Sequence, residues 1–160
     1  MIQPKQHSLF ANNTHIPFGV YDDLISNVDT ANWDKLGFLA KKRRTERKAW
    51  VFFGVFSPEL ICGFAIADAG MVATAFSYFY SLKDGIFEED KTTVPLGFAN
   101  DFNPNLKSEW KIGNFLIKTE NGKLHCQYVG KFKLYIEAEN TTNGASIVAP
   151  SSEKRPFNFT

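Results

Sequence analysis

The sequence predicts an all-β fold, a meander of about eight or nine short antiparallel strands curling into a barrel or half-barrel. Three observations predict it. From Trp50 to Tyr80 the chain reads as successive apolar runs separated by turn signals, WVFFGVF, LICGFAIA and MVATAFSYFY. From Lys123 to Ala138 apolar and polar residues alternate with a period of two, the pattern of a sheet with one wet face. Asn121-Gly122 between two such segments is a strong hairpin signal, because both residues tolerate the positive φ that a tight turn between twisted strands requires.

Residues 1–45 read as an irregular N-terminal wrap, rich in Asn, Asp and Pro, with a short apolar piece at Ile16 to Tyr21. Thr30 can cap a short helix whose loose apolar face is Trp33, Leu36, Phe38 and Leu39. Lys41-Lys42-Arg43-Arg44-Thr45-Glu46-Arg47-Lys48 is the one dense charge run. Glu46 interrupts it and no basic helical face follows, so it reads as a solvated entry to the first long strand.

Residues 46–160 read as the β domain. Ser57-Pro58-Glu59 is a turn with Pro at its second position, and Asp68-Ala69-Gly70 and Lys83-Asp84-Gly85 are further turns. The three strands so defined are apolar on both faces, which predicts that neither face meets water. Ile86 to Asp90 and Thr92 to Phe98 supply one or two weaker strands, and Ala99 to Ser108 is a loop. One strand follows near Trp110 to Thr119, then Lys123 to Tyr128, a turn at Val129-Gly130, and Phe132 to Ala138. After a turn at Asn140 to Gly144, Ser146 to Ala149 and Pro156 to Phe159 are extended.

Composition bounds the function. The formal net charge of +1 offers no global attraction for nucleic acid. No apolar stretch is long and unbroken enough to be an integral membrane segment, and Met1 to Phe10 lacks the apolar centre of a signal peptide; a cytoplasmic protein is the expectation. Cys62 and Cys126 are the only cysteines; each lies in an apolar run and reads as a buried free thiol. No metal-ligand spacing, phosphate loop or nucleophile elbow occurs, so no metal and no cofactor are expected. With 16 copies, Phe is unusually frequent, and rigid rings either fill a wide interior or wall an apolar ligand site. Trp50, Phe52, Phe76, Tyr78 and Tyr80 are the residues that would line such a site.

Asp68, ending an apolar strand, is the one weak catalytic candidate; its side chain more readily caps the Ala69-Gly70 turn. His125, on the polar face beside Lys123 and Gln127, reads as a solvated histidine.

The stretch WVFFGVFSPELICGFAIADAGMVATAFSYFY resembles the family catalogued as domain of unknown function 2804, with its tryptophan-opened strand, Ser-Pro turn, Asp-ended strand and aromatic third strand. Lys154-Arg155-Pro156-Phe157-Asn158-Phe159-Thr160 is similar to an internal segment of that family. The resemblance implies a longer protein of which this chain is the N-terminal half, and a lipocalin-like (calycin-like) two-barrel architecture similar to carotenoid hydratase and AttH-like proteins. The Gly-x-Trp signature of ordinary lipocalins is missing. No catalytic residue carries over from the resemblance. The meander apolar on both faces points to a hydrophobic small molecule, lipid-like or isoprenoid-like, as ligand of the whole protein; the resemblance implies hydration or isomerisation as the chemistry if there is any, and a C-terminal domain as partner. A structural or interaction module, whose apolar sheet face packs on that second domain, fits the same residues.

Overall fold

The computed structural model describes residues 2–4, 6, 8, 10–11, 14–15, 17–23, 25, 48–95, 108–139, 141, 144–149 and 158–159. Among them every regular element is a strand. The helix expected from Thr30, the basic run up to Arg47 and the loop expected at Ala99 to Lys107 lie outside the described residues.

Short strands come first: β1 (Ile2–Gln3), β2 (Phe10–Ala11), β3 (Thr14–His15) and β4 (Gly19–Asp22). The first large sheet follows as β5 (Ala49–Phe56), β6 (Leu60–Asp68), β7 (Val72–Ser81) and β8 (Phe87–Pro95), an antiparallel meander in sequence order. The second is β9 (Ser108–Ile112), β10 (Phe115–Glu120), β11 (Lys123–Val129) and β12 (Lys133–Glu139), again a meander. Last come β13 (Ala145–Ala149) and β14 (Asn158–Phe159). A third sheet in the order β1-β4-β13-β14 ties the N-terminal strands to the C-terminal ones, while β2 pairs with β3. In it Tyr21 is buried, its hydroxyl donating to the Pro17 carbonyl.

The turns form where the sequence marks them, by local hydrogen bonds. Ser57 N–H donates to the Leu60 carbonyl at 2.9 Å, while the Ser57 hydroxyl accepts from Leu60 N–H at 2.9 Å. Asn121 (φ 52°) and Gly122 (φ 76°) make the expected hairpin between β10 and β11. One expectation is corrected: the stretch from Trp110 to Thr119 is not a single strand but two, β9 and β10, folded back at Gly113-Asn114. Gly113 takes φ 53°, and Gly-Asn between alternating runs is itself a two-residue hairpin signal. Conversely, Ile86 to Phe98 supplies one strand, β8, over its described part.

The two large sheets face each other across one core. Cys62, Phe64 and Ile66 of β6 and Ala73 and Ala75 of β7 meet Trp110 and Ile112 of β9, Phe115 and Ile117 of β10, Cys126 and Tyr128 of β11 and Ile136 of β12. Phe64 packs edge-on against Phe115 with centroids 5.7 Å apart. Cross-strand register keeps these side chains in phase: Val51↔Ile66↔Ala75 and Phe53↔Phe64↔Ser77 run across the inner face of the first sheet. The interior is therefore closed by side chains near its centre. Among the described residues no strand pair joins β5 to β12 or β8 to β9, so no closed barrel is found. On the β5/β12 side the sheets part into an open cleft of about 560 Å³, lined by Phe53, Val55, Leu60, Leu134 and Ile136 among others.

Candidate functional site

The same register that sends Val51, Phe53 and Val55 inward sends Trp50, Phe52, Gly54 and Phe56 to the opposite, outer face of the first sheet. Ile61, Gly63, Ala65 and Ala67 of β6 lie beside them, then Thr74, Phe76, Tyr78 and Tyr80 of β7, then Phe87, Glu89, Lys91 and Thr93 of β8. All five ligand-lining candidates, Trp50, Phe52, Phe76, Tyr78 and Tyr80, thus share one face. The expectation that neither face meets water is corrected for the described residues: Trp50 is 62% exposed, Phe52 54%, Phe56 76% and Phe87 56%.

The face is a trough with aromatic walls. Its floor is the small-residue row of β6, and Gly54 and Gly63 sit opposite each other in the ladder. A Cβ on Gly63 would run into the Tyr78 ring, so the glycine is what lets that ring lie flat against the sheet. Tyr78 stacks on Phe76 (centroids 6.4 Å, planes 12° apart) and lies 6.2 Å from Phe87. Together with Thr74, Glu89 and Lys91 these three rings line a shallow depression of about 400 Å³. Apolar rings with one carboxylate and one ammonium at the rim suit an amphipathic guest better than a polar one.

Asp68 lies elsewhere. It is in phase with the inner face at the end of β6, half-buried, and its carboxylate accepts the Gly70 N–H at 2.7 Å where Gly70 turns with φ 83°. This is the turn-capping geometry, and it does not bring the carboxylate to the aromatic trough. His125 points from the outer face of the second sheet, its Nδ1 3.5 Å from the Glu137 carboxylate.

Sequence reasoning missed a polar clasp between the sheets. The buried Tyr128 hydroxyl of β11 donates to the Asp90 carboxylate of β8 and accepts the Lys131 N–H at 2.8 Å. Lys131 Nζ donates to the Glu89 carbonyl at 3.3 Å and sits 3.9 Å from Asp90. The Tyr128 hydrogen bond, aided by Lys91 N–H and the Lys131 charge, holds the Asp90 carboxyl below its ordinary range. Burial first, and the Asp90 bond second, push the Tyr128 phenol up. A Cβ on Gly130 would collide with the Tyr128 hydroxyl, so Gly130 makes room for the clasp. The signal was a tyrosine on an apolar strand face two residues before a glycine, a pattern too common to single out.

Both cysteines are free and buried, as the sequence implied. Burial, then the neighbouring Cys62, pushes the Cys126 thiol up to about 12, so neither thiol is poised as a nucleophile. Among the described residues no group of three or more His, Cys, Asp or Glu side chains could hold a metal ion, and no helix is long and apolar enough to cross a membrane.

Comparison with known proteins agrees with the resemblance carried by the Trp50 to Tyr80 stretch. The family described as Domain of unknown function (DUF2804) matches residues 5–156, most of the chain, and the chain belongs to it. No curated protein and no solved structure matches the chain.

Proposed function

We propose that this DUF2804 chain is a binding module whose aromatic sheet face holds a hydrophobic small molecule, lipid-like or isoprenoid-like. The observation that carries the reading is the outward display of Trp50, Phe52, Phe56, Phe76, Tyr78, Tyr80 and Phe87 on one sheet face. Contiguous exposed apolar surface of this kind is retained in folded proteins for binding, because it adds nothing to the chain's own core. The polar rim favours an amphipathic guest. Its apolar part would lie along Phe76, Tyr78 and Phe87, its polar end toward Glu89 and Lys91. The depression is open, so a calycin-like enclosure belongs to the proposal: a further β layer, such as a C-terminal domain, would close over the ligand. The reading assigns no reaction, since Asp68 caps a turn away from the trough.

A second reading is favoured by the β5 half of the face, where Trp50, Phe52, Phe56, Ile61, Ala65 and Ala67 include no polar group but the Trp50 indole N–H. There the face serves as a dry packing surface for a second domain, and the module is structural.

Titration with a fluorescent long-chain polyene fatty acid separates them. The ligand reading expects saturable binding near one site per chain, weakened at least tenfold by Tyr78→Ala. No saturable binding, together with no mass added by lipid extract in native mass spectrometry, would overturn it and leave the packing surface.

A further inference from the structure

Among the described residues the two large sheets have four edge strands, and three of them carry the devices that prevent edge-to-edge pairing. β8 has Glu88, Glu89, Asp90 and Lys91 and ends in Pro95; β12 alternates Lys133, Glu137 and Glu139 with its apolar residues; β9 is short and holds Glu109 and Lys111. β5, AWVFFGVF, is long, uncharged, free of proline and unbulged in its pairing with β6. Among the described residues nothing pairs with its far edge. Such an edge is a template for another strand.

The ladder fixes which backbone groups wait there. Ser57 N–H bonds the Leu60 carbonyl across the turn, and antiparallel pairs alternate between bonded and non-bonded. Val51, Phe53 and Val55 therefore direct their N–H and C=O toward β6, while Trp50, Phe52, Gly54 and Phe56 direct theirs to the open edge. Those same four residues carry their side chains on the outer face.

We propose that β5 pairs antiparallel with β5 of a second copy of this chain, about a two-fold axis at Phe53. That register satisfies every constraint of the strand. Phe52 lies opposite the partner's Gly54, so each ring covers the gap over the other copy's glycine; Trp50 lies opposite the partner's Phe56. On the inner side Val51 meets the partner's Val55, and the two Phe53 side chains meet at the axis. The bonded pairs are Trp50 with Phe56 and Phe52 with Gly54, the residues whose amides face the edge. Moving the axis to Phe52 brings Lys48 opposite Phe56, and moving it to Gly54 brings Pro58 opposite Trp50. A two-fold contact is self-complementary by definition, and this strand reads as its own complement. The result is a continuous eight-stranded sheet with both aromatic faces on one side.

The test compares two double variants by sedimentation of the full 18.1 kDa chain, Trp50→Lys with Phe56→Lys and Trp50→Lys with Phe56→Glu. Both remove the same two rings from the aromatic face, so any ligand-binding role suffers equally in each. In the proposed register the first places like charges opposite each other at both ends of the paired strands, and the second places opposite charges there. The wild type and the Lys/Glu variant sediment as dimers and the Lys/Lys variant as a monomer. A monomeric wild type at micromolar concentration, or identical behaviour of the two variants, overturns the proposal.

Discussion

The outer faces of the two large sheets are built from the same number of strands, yet have opposite chemistry. On the second sheet the outward positions are mostly polar, Glu109, Lys111, Lys118, Glu120, Lys123, His125, Gln127, Lys133, Tyr135, Glu137 and Glu139, with Leu116 and Val129 as the aliphatic exceptions, and Lys118 and Glu109 pair at 2.8 Å. On the first they are chiefly rings, glycines and alanines, joined by Ile61, Val72 and two threonines, with charge confined to β8. Both sheets send comparable apolar sets inward to one core, so folding explains the inner faces equally. It does not explain the aromatic outer face. The difference separates residues that hold the domain together from those on which the proposed binding role rests.

Substitutions across the two faces of one sheet sharpen this contrast most. Phe64→Ala should cost about 3–5 kcal/mol in urea unfolding, since Phe64 is fully buried against Phe115. Phe52→Ala, on the neighbouring strand but the outer face, should cost less than about 1 kcal/mol, because its ring is already mostly in water. Equal losses would mean that the outer face is core after all.

The clasp between the sheets comes next. Gly130→Ala forces the Tyr128 hydroxyl aside and should destabilise by about 1–3 kcal/mol. Tyr128→Phe removes the bond that lowers the Asp90 carboxyl. A carboxyl lowered in the folded state contributes stability that is present above its unfolded value of about 3.9 and lost as pH falls through the lower folded value. Tyr128→Phe should therefore be less stable at neutral pH and show a flatter acid limb, measured as unfolding midpoint against pH between about 5 and 2. A parallel pair of acid limbs would assign the clasp no role.

Smallest is the effect on the polar face. Lys118→Ala breaks a half-exposed ion pair and should change stability by less than about 1 kcal/mol, with the difference vanishing at high salt.

Much of this contrast was legible in the residues. The alternation from Lys123 to Ala138 assigned inward and outward positions that the register reproduces, because a period of two admits only one face once the apolar set is known. The turns at Ser57, Asp68 and Asn121 were legible for the same local reason: their hydrogen bonds close within four residues. In the first sheet alternation vanishes, since Trp50 and Val51 are both apolar, and the pattern could not say which face was core. It also suggested that both were covered. What the sequence hid was non-local: the pairing of β4 with β13 across the chain, and the meeting of Asp90 with Tyr128, 38 residues on. The Gly113-Asn114 hairpin is equally local, but the apolar runs flanking it read as one continuous strand.

The central claim is that the aromatic face serves binding and not folding, and one double variant addresses both halves of it. Phe76→Thr with Phe87→Thr strips two of the three rings from the depression while leaving the inner face untouched. The account predicts an unfolding free energy within about 1–2 kcal/mol of the wild type and loss of saturable binding of the polyene fatty acid. A variant that no longer folds, or one that folds and binds the probe as the wild type does, would contradict it.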